Sequence, residues 1–507
     1  MNSAEPNVSD PATKPEAPRR KRSVRRSLVV IAGAIVALAC MPSLATAQPL
    51  VEPVHAADCG PSPLKAEERR LVFDALKRDV DPTEAPEASF NDADLMATLR
   101  RYAILQLGLR VQPSKVDPLW SIEPTGRDVT AELEAARSQG RLSSWLRALE
   151  PPGAGYRSLA AARCRYAAIT DAGGWKTLPS GAPLKEGDID PVVEALRVRL
   201  IIEGYDLTQA QSTQRFDRAL AAALRAFQRR HDLRDDGVLG PETRSALNVP
   251  VEARLAQIET NLERWRWLPH DLPKDRLEVD LSAAEATLFV SDRPQLQMRA
   301  IVGDPGHKTP MFASRLEAVI FNPPWNVPNS IARDEILPRA ARDPGYLARN
   351  QFVRTPQGLQ QRPGPRNALG QLKFDLPSPF GVYLHDTPGR ASFARRVRTL
   401  SHGCMRLEKP RELAQQLLAA QGWTRTEIDQ AIATGATRRI KLLKPVPLFV
   451  VYRTASVDQD GWAHFRPDPY GWDSKLSAAL ASDQARSPAP TSESECSASD
   501  RQAAWLG

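Results

Sequence analysis

A cysteine and two histidines lie close together in the segment LHDTPGRASFARRVRTLSHGCMRL, residues 384–407. Cys404 stands between a glycine and a methionine, with His402 two residues before it and His385 nineteen residues before it. The thiolate is the reactive form of cysteine, so a nucleophilic cysteine needs a nearby base or a field that lowers its pKa. A histidine can act as that base. The spacing therefore favours nucleophilic catalysis by Cys404.

Three other roles for Cys404 compete with this hypothesis. A lone buried cysteine usually serves as a small hydrophobic side chain. Metal binding needs more ligands at suitable spacing, and His-x-Cys with one distant histidine is an incomplete set. A disulfide to Cys59 or Cys164 would cross domains, and those two cysteines could instead pair with each other. The two neighbouring histidines favour the nucleophile, and we predict no metal and no cofactor.

The local pattern predicts how Cys404 is positioned. His385 ends the strand-like segment GVYLH, and Cys404 directly precedes MRLEKPRELAQQLLAAQ, which we expect to form a helix. A cysteine at a helix N-terminus gains from the helix dipole and from unpaired backbone N–H groups. The N–H groups of Gly403 and Cys404, with that of His402 as a further candidate, could then stabilise an oxyanion, and Gly403 lets the backbone approach a bound carbonyl closely.

The N-terminal residues indicate export. The basic run RRKRSVRRS precedes a short apolar stretch and a small-x-small site that ends at Ala47. We predict that residues 1–47 are a signal peptide, with an uncleaved anchor in the inner membrane as the alternative. The net charge is +8 but dispersed, which suits an acidic wall polymer better than nucleic acid. We expect a periplasmic or cell-envelope location.

The chain of 507 residues exceeds a single hydrophobic core, so several domains are expected. Residues 60–180 have helical periodicity broken by prolines, which indicates a helical scaffold domain. Short strands over 277–454 predict a mostly β catalytic domain, with a Pro/Gly/Arg-rich insertion at 330–375. Residues 455–507 are predicted to be a partly disordered C-terminal tail. The predicted fold class is multidomain α+β.

Residues 183–249 have the pattern of a small three-helix domain. Leu220, Leu224 and Phe227 stripe its second helix, and Pro241 opens a short third helix. The order RALAAALRAFQRRHDLRDDGVLGPETRSAL resembles the type 1 peptidoglycan-binding domain, with its FQ, L, DG, G, T and AL positions all matched. STQRFD stands where the first repeat usually has an Asp-Gly turn. Peptidoglycan is therefore the expected partner.

The segment around Cys404 resembles the catalytic signature of the L,D-transpeptidase (YkuD) family. HDTPGRASFARRVRTLSHGCMRL has its histidine, the gap, and then Ser/Thr-His-Gly-Cys. The segments NLERWRWLP, VGDPGHKTP, FNPPWNVPNSI and LGQLKFDLPSPFGVYLHDTP resemble the large, substrate-capped (YcbB-like) branch of that family. The resemblance covers about residues 60–455 and implies that the insertion is a lid.

The resemblance implies a role for each residue of the signature. Cys404 would attack the substrate, and His385 would take its proton and return it to the leaving amine. The backbone carbonyl of Asp386 would orient the imidazole. His402 would position other groups rather than act as the base, and Gly403 would shape the oxyanion site.

Four residues are expected to contact the substrate. Arg406 could hold a carboxylate in a bidentate manner, and the alternative is a solvated helix residue. Ser401 belongs to the nucleophile turn, and Tyr383 and Trp325 either line the peptide groove or serve as core aromatics. His307 is expected to be a turn residue.

The implied reaction is acyl transfer between peptidoglycan stem peptides. A thioester forms with the third residue of a tetrapeptide, D-alanine leaves, and the side-chain amine of a second stem completes a cross-link between two third-position residues. An L,D-carboxypeptidase, an exchange with free D-amino acids and a non-catalytic wall-binding protein remain alternatives. The sequence leaves the oligomeric state open.

Overall fold

The computed structural model describes residues 92–151, 153–207 and 213–486. The predicted signal or anchor at 1–47, the first part of the scaffold domain, and Cys59 lie outside these residues, so the proposed Cys59–Cys164 pairing stays a prediction. Among the described residues, no helix is both long and apolar enough to cross a bilayer.

Helices make up most of the described residues before residue 267. They span Asp92–Gln106, Pro113–Val116, Val129–Ser138, Leu142–Ala148, Ala154–Asp171, Val192–Ile202, Arg218–Arg230, Pro241–Leu247 and Val251–Arg266. Aspartates cap two of them: the Asp128 carboxylate accepts from the N–H of Ala131, and the Asp217 carboxylate accepts from the N–H of Leu220. The helical part of the predicted fold class is confirmed.

The signature residues of the three-helix domain hold its turn together. The buried Gln228 side chain accepts a hydrogen bond from the N–H of Gly237 at 2.8 Å and donates to Thr243 Oγ1 at 3.0 Å. Gly237 has φ +73°, a conformation that favours glycine. Leu220, Leu224 and Phe227 are fully buried in the domain core, as the helical stripe predicts.

Strands dominate the catalytic region. They are β1 Arg276–Asp280, β2 Glu285–Val290, β3 Arg293–Gly303, β4 Phe312–Phe321, β5 Trp325–Asn326, β6 Phe352–Thr355, β7 Gly358–Gln361, β8 Leu372–Asp375, β9 Leu384–His385, β10 Thr399–Ser401, β11 Met405–Leu407, β12 Arg438–Val451, β13 Ala455–Val457 and β14 Ala463–Phe465. Nine of them form one mixed sheet in the order β10-β3-β11-β9-β8-β4-β12-β1-β2. The largest hydrophobic core lies on this sheet.

Two helices, Pro410–Leu418 and Arg425–Ala433, follow strand β11 and pack on the same core. Thr424 and Glu427 form a reciprocal capping box at the start of the second helix. Short 3₁₀ turns lie at Arg390–Ala394 and Ala419–Gln421.

The insertion packs as a separate small unit. It contains the three-stranded sheet β5-β7-β6 and the helical segments Asn329–Ile331, Leu337–Arg342 and Tyr346–Arg349, with a π-helical stretch at Ala332–Ile336. Its own core consists of Val327, Ala332, Ile336 and Leu359. Strand β8 falls within the predicted 330–375 insertion but pairs with β4 and β9 in the main sheet. The separately packed part therefore ends before Leu372.

The segment after residue 454 is folded over its described part, contrary to the expectation that the domain ends there and a tail begins. Strands β13 and β14 form a hairpin, and Trp472–Arg486 is a helix. Trp472 is fully buried and lies edge-on to Trp120 with ring centroids 5.7 Å apart. These aromatic residues give the segment apolar area to bury, which its composition had hidden. Residues from 487 onward lie outside the described residues.

Candidate active site

Three neighbouring strands bring the predicted site residues onto one face of the sheet. β9 lies between β8 and β11, with His385 opposite Lys373 on β8 and opposite Arg406 on β11. Leu384 and Met405, one position earlier on their strands, are fully buried in the core. Because strand side chains alternate between faces, Lys373, His385 and Arg406 form a row on the face opposite the core.

Cys404 directly precedes a strand, so the expectation that it begins a helix was wrong. Met405–Leu407 is strand β11, and the next helix starts only at Pro410. The N–H of Met405 donates to the carbonyl of Tyr383 at 3.0 Å, and Met405 and Leu407 fill the core. Burial between β3 and β9 outweighs the local helix preference of this segment. The helix dipole therefore has no part in activating Cys404.

Hydrogen bonds within and beside the turn fix the position of the cysteine. The Ser401 hydroxyl donates to the carbonyl of Cys404 at 2.6 Å and accepts from the N–H of Gly403 at 3.2 Å. Thr309 Oγ1 donates to the carbonyl of Gly403 at 2.8 Å. Gly403 has φ +101°, which a side chain would strain. Ser401 is only 1% exposed, and its hydroxyl supports the turn.

The ring of His385 is buried and held by the main chain. Its Nδ1 lies 2.5 Å from the carbonyl oxygen of Asp386, which can only accept, so Nδ1 carries the proton and the lone pair is on Nε2. The backbone of Leu369 is a second hydrogen-bonding partner of the ring. Burial, followed by the positive charge of Arg406, lowers the pKa of His385 to about 3. The imidazole is therefore neutral at pH 7 and able to accept a proton.

The side chain of Asp386 holds the chain segments on either side of it, at Gln371 and at Arg390. Its carboxylate accepts from the N–H of Gln371 at 2.9 Å and forms an ion pair with Arg390 at 3.3 Å. Gly370 has φ +64°, and a Cβ there would overlap with the Asp386 side chain. The position needs glycine so that Asp386 can pack closely.

The Cys404 thiol is partly buried beside Tyr383. Burial raises the pKa of Cys404, while hydrogen bonds from the backbone and the side chain of Tyr383 and the charges of Lys373 and Arg406 act in the opposite direction. The Tyr383 hydroxyl stays protonated, because burial and the neighbouring thiol raise its pKa. The thiol is therefore protonated at neutral pH, with a hydrogen-bond donor and two cations beside it.

Aromatic residues form one wall of the site. The ring of Tyr383 lies 5.6 Å from that of His385, and the ammonium group of Lys373 lies 4.2 Å from the centre of the Tyr383 ring. The Trp325 side chain, from the insertion, is near enough to Tyr383 to lower its pKa against the effect of burial. Both aromatic residues thus lie at the site and are only partly buried.

His402 lies on the other side of the cysteine and is held by side chains. It is 39% exposed, and its Nε2 is 3.0 Å from Glu335 Oε1 of the insertion. Its ring contacts that of His307, with centroids 4.4 Å apart, and His307 Nδ1 is 3.1 Å from Asp304. His307 does lie in a turn, as expected. Its contact with His402 was not foreseen.

Two residues of this site were missed in the sequence. Lys373 alternates with the apolar residues of LKFD, a pattern that could have placed it on the exposed face of a strand. Glu335 gave no such signal, because its contact with His402 joins segments far apart in the chain. Among the described residues, no group of three or more histidine, cysteine or acidic side chains is arranged to hold a metal.

Comparison with protein families identifies the class of this site. Residues 274–438 match the L,D-transpeptidase catalytic domain (YkuD), residues 190–247 match a "Putative peptidoglycan binding domain", and residues 61–162 match a "Scaffold domain". Residues 274–438, which contain His385 and Cys404, are thus similar to YkuD-family L,D-transpeptidase catalytic domains, and two ranges before them are similar to a peptidoglycan-binding and a scaffold domain.

The chain is also similar to individual proteins over part of its length. A "Putative L,D-transpeptidase" of Haemophilus influenzae is 34% identical over 205 residues, which cover 36% of this chain and 42% of the relative. The match thus spans less than half of that relative's length. Solved L,D-transpeptidases from Xylanimonas cellulosilytica and Mycobacterium smegmatis are 16% and 17% identical, each with a TM-score of 0.20. They cover 54% and 35% of this chain, and this chain covers 98% and 58% of theirs.

Proposed function

We propose that this chain is an L,D-transpeptidase that cross-links peptidoglycan stems between third-position residues, with Cys404 as nucleophile and His385 as general base. The observation that carries the proposal is the placement of these two residues at adjacent parallel strands inside a YkuD domain. The fixed tautomer of His385 supports it, because the lone pair on Nε2 is what proton abstraction requires.

The first half-reaction acylates the enzyme. As Cys404 Sγ bonds to the carbonyl carbon of the third stem residue, the thiol proton passes to Nε2 of His385. The tetrahedral intermediate then collapses, the C–N bond to the terminal D-alanine breaks, and His385 returns the proton to the leaving amine. The products are a thioester and free D-alanine.

The second half-reaction forms the cross-link. The side-chain amine of a second stem attacks the thioester, and the S–C bond breaks as the amide forms. The amine proton returns to Cys404 by way of His385. No oxidant, metal or cofactor is needed to balance either step.

The electrostatics favour transfer of the thiol proton during the attack on the substrate. They disfavour a thiolate–imidazolium pair between Cys404 and His385 that exists before the substrate binds. Burial disfavours both the imidazolium of His385 and the thiolate of Cys404. The Tyr383 hydroxyl and the charges of Lys373 and Arg406 stabilise the negative charge that develops on sulfur. They would thus stabilise the transition state more than the resting thiol.

The remaining site residues would bind the substrate. Arg406 lies on the same face as His385 and has a guanidinium suited to a stem carboxylate. Trp325 and Tyr383 would line the peptide groove, and the insertion would cover the thioester and limit its hydrolysis. The three-helix domain would hold the glycan strand. The matches to peptidoglycan-related domains support a location in the cell envelope, and residues 1–47 would direct the protein there as a signal or an anchor.

The proposal is tested by incubating purified protein with disaccharide-tetrapeptide and following the masses of products and protein. We expect a thioester adduct on Cys404 and cross-linked dimers that lack one D-alanine. Both should disappear in Cys404→Ala and persist in Cys164→Ala, which removes a buried thiol from a scaffold helix. Dimer formation by Cys404→Ala would contradict the mechanism.

Three other outcomes would redirect the assignment. Release of D-alanine without dimers would indicate an L,D-carboxypeptidase, and incorporation of added D-amino acids would indicate exchange. Binding to peptidoglycan without any adduct would indicate a non-catalytic wall-binding protein. A carbapenem should also add its mass to Cys404 and not to the alanine variant.

A further inference from the structure

A threonine in the loop between β3 and β4 holds the peptide unit that precedes the nucleophile. Thr309 is fully buried, and its hydroxyl donates to the carbonyl of Gly403 at 2.8 Å and accepts from the N–H of Gly303 at 2.8 Å. Because a hydroxyl has a single proton, donation to Gly403 fixes the orientation of the group. Thr309 therefore ties the end of β3 to the turn that carries Cys404.

A tyrosine beyond β14 fastens this threonine in turn. Tyr470 is buried, and its hydroxyl donates to the carbonyl of Gly303 at 2.6 Å and accepts from the N–H of Thr309 at 3.3 Å. Its ring packs edge-on to Trp472, with centroids 4.8 Å apart. Burial raises the pKa of Tyr470 to about 12, so the hydroxyl keeps the proton that it donates. Tyr470 lies outside the range 274–438 that matches the YkuD domain.

The chain around Gly303 is packed too closely for a side chain. A Cβ on Gly303 would overlap with the carbonyl oxygen of His307 and the backbone nitrogen of Thr309. Gly303 is also paired with Ser401 where β3 and β10 meet. This close approach of two backbone segments allows the hydroxyl of Thr309 to reach the turn that carries Cys404.

The hydrogen bond to the carbonyl of Gly403 also sets the direction of the N–H of Cys404. The two groups belong to one planar trans peptide unit, so they point in opposite directions. Because the buried Thr309 holds the carbonyl, the N–H of Cys404 points away from Thr309. The hydrogen bonds among the described residues leave this N–H without an acceptor. The N–H of Gly403, by contrast, already donates to the Ser401 hydroxyl.

We propose that Thr309 is a positioning residue that aims the N–H of Cys404 at the oxyanion of the tetrahedral intermediate, and that Tyr470 supports Thr309 in this role. The inference rests on the proposed function, because it takes Cys404 to attack a carbonyl carbon. It goes beyond that function, since it assigns the alignment of the oxyanion donor to a buried hydroxyl and to a tyrosine of the segment after residue 454.

Two reactions of Cys404 should respond differently to loss of the Thr309 hydroxyl. Acylation by a carbonyl compound passes through an oxyanion, whereas alkylation by iodoacetamide displaces iodide from a saturated carbon and forms no oxyanion. Thr309→Val removes the hydroxyl and keeps the branched shape of the side chain. It should therefore slow acylation and leave alkylation, which depends on the thiolate, unchanged.

The test measures single-turnover acylation of the full-length protein by disaccharide-tetrapeptide, followed by intact mass. Loss of an oxyanion donor costs about 10²- to 10³-fold in rate, and a donor that only loses its alignment should cost less, about 10-fold. In Thr309→Val the rate at saturating tetrapeptide should fall by that factor. The tetrapeptide concentration for half-maximal rate should stay the same, because the oxyanion exists only after the attack. Thr309→Ser keeps the hydroxyl and should restore the rate.

A second variant, Tyr470→Phe, tests the support of the threonine. The Thr309 hydroxyl keeps both of its hydrogen bonds in this variant, so acylation should slow only about 2- to 5-fold. Alkylation should again stay unchanged. Combined with Thr309→Val, Tyr470→Phe should slow acylation no further, because Tyr470 acts through Thr309.

The matched control is Thr454→Val, which removes another fully buried threonine hydroxyl, one that donates to Asp473. This variant should acylate as fast as wild type, and an equal loss there would mean that acylation responds to the loss of any buried hydroxyl. Equal losses of acylation and alkylation in Thr309→Val would place the effect on the thiol or on the fold. Either result, or a rate that Thr309→Ser does not restore, would overturn the inference.

Failure of the proposed function gives a different result. In that case wild-type protein forms no thioester with the tetrapeptide, whatever the variants do. If wild-type protein forms the thioester and Thr309→Val forms it equally fast, only the role of Thr309 is wrong.

Discussion

The two histidines that flank Cys404 are held in opposite ways. His385 is 4% exposed, and its Nδ1 is fixed by the main-chain carbonyl of Asp386. His402 is 39% exposed, and its Nε2 is held by the side chain of Glu335 from the insertion. One histidine belongs to the rigid sheet, and the other links the catalytic turn to a separately packed unit.

This difference indicates which histidine suits which task. A general base must keep one tautomer and one orientation through the reaction, which a carbonyl on the next residue secures. An exposed contact between two side chains, by contrast, can break and form again at low cost. Proximity in sequence is a poor guide here, since His402 is nearer to Cys404 along the chain.

Replacing His385 should have the largest effect of the three changes that test this comparison. In His385→Gln no imidazole is left to accept the thiol proton, so acylation should slow by about 10²- to 10⁴-fold. The rate of carbapenem addition to Cys404, measured by intact mass, reports this step alone. Replacing a buried ring could also disturb the site. The control is therefore the binding of disaccharide-tetrapeptide to the double variant His385→Gln/Cys404→Ala, which should match its binding to Cys404→Ala. A rate within tenfold of wild type would mean that another group is the base.

Much of the catalytic core could be predicted from local sequence. The His-gap-SHGC spacing pointed to Cys404 and His385, and the alternation of RLEVD, EATLFV and LQMRAIVG predicted strands that the structure contains. Such patterns are local: they depend on the side chains of one segment and on the face that it buries. The three helices over 183–249 were predictable for the same reason.

What could not be predicted depends on partners distant in the chain. Met405–Leu407 reads as the start of a helix, yet it pairs with β3 and β9 and becomes a strand. The two hydrogen bonds that the Ser401 hydroxyl makes inside the turn were not predicted from the sequence. The contact of Glu335 with His402 depends on how the insertion packs over the sheet, which no local pattern encodes.

Replacing Tyr383 tests how strongly this residue of the sheet side lowers the pKa of the Cys404 thiol. Its hydroxyl and backbone hydrogen bonds lower the pKa of Cys404, against the upward effect of burial. Tyr383→Phe removes the hydroxyl, so the pKa of Cys404 should rise further and less thiolate should exist at pH 7. A hydrogen bond to a charged group is worth about one to two pKa units, so alkylation by iodoacetamide at pH 7 should slow about tenfold.

Tyr383→Phe should also change how the rate of Cys404 alkylation depends on pH. In both proteins alkylation should accelerate as pH rises toward the pKa of Cys404, because only the thiolate reacts. The curve for Tyr383→Phe should lie at higher pH, and the two rates should converge once both thiols are ionised. Tyr346→Phe, a tyrosine of the insertion that packs on Phe352, is the matched control and should follow wild type. Coincident curves for Tyr383→Phe and wild type would exclude the hydroxyl as a support of the thiolate.

His402 should show the smallest effect, and its two variants separate a link to the insertion from a role in proton transfer. His402→Ala loses the contact with Glu335, a half-exposed pair worth less than about 1 kcal/mol, so kcat/KM for dimer formation should fall about 2- to 5-fold. His402→Gln keeps an N–H donor that can reach Glu335 and should recover most of that loss, although an amide cannot take up a proton at neutral pH. If His402 were the base, both variants would lose activity to the same large extent, because neither contains an imidazole. Rescue by glutamine at position 402 together with failure of glutamine at position 385 would therefore divide the two histidines into a link and a base.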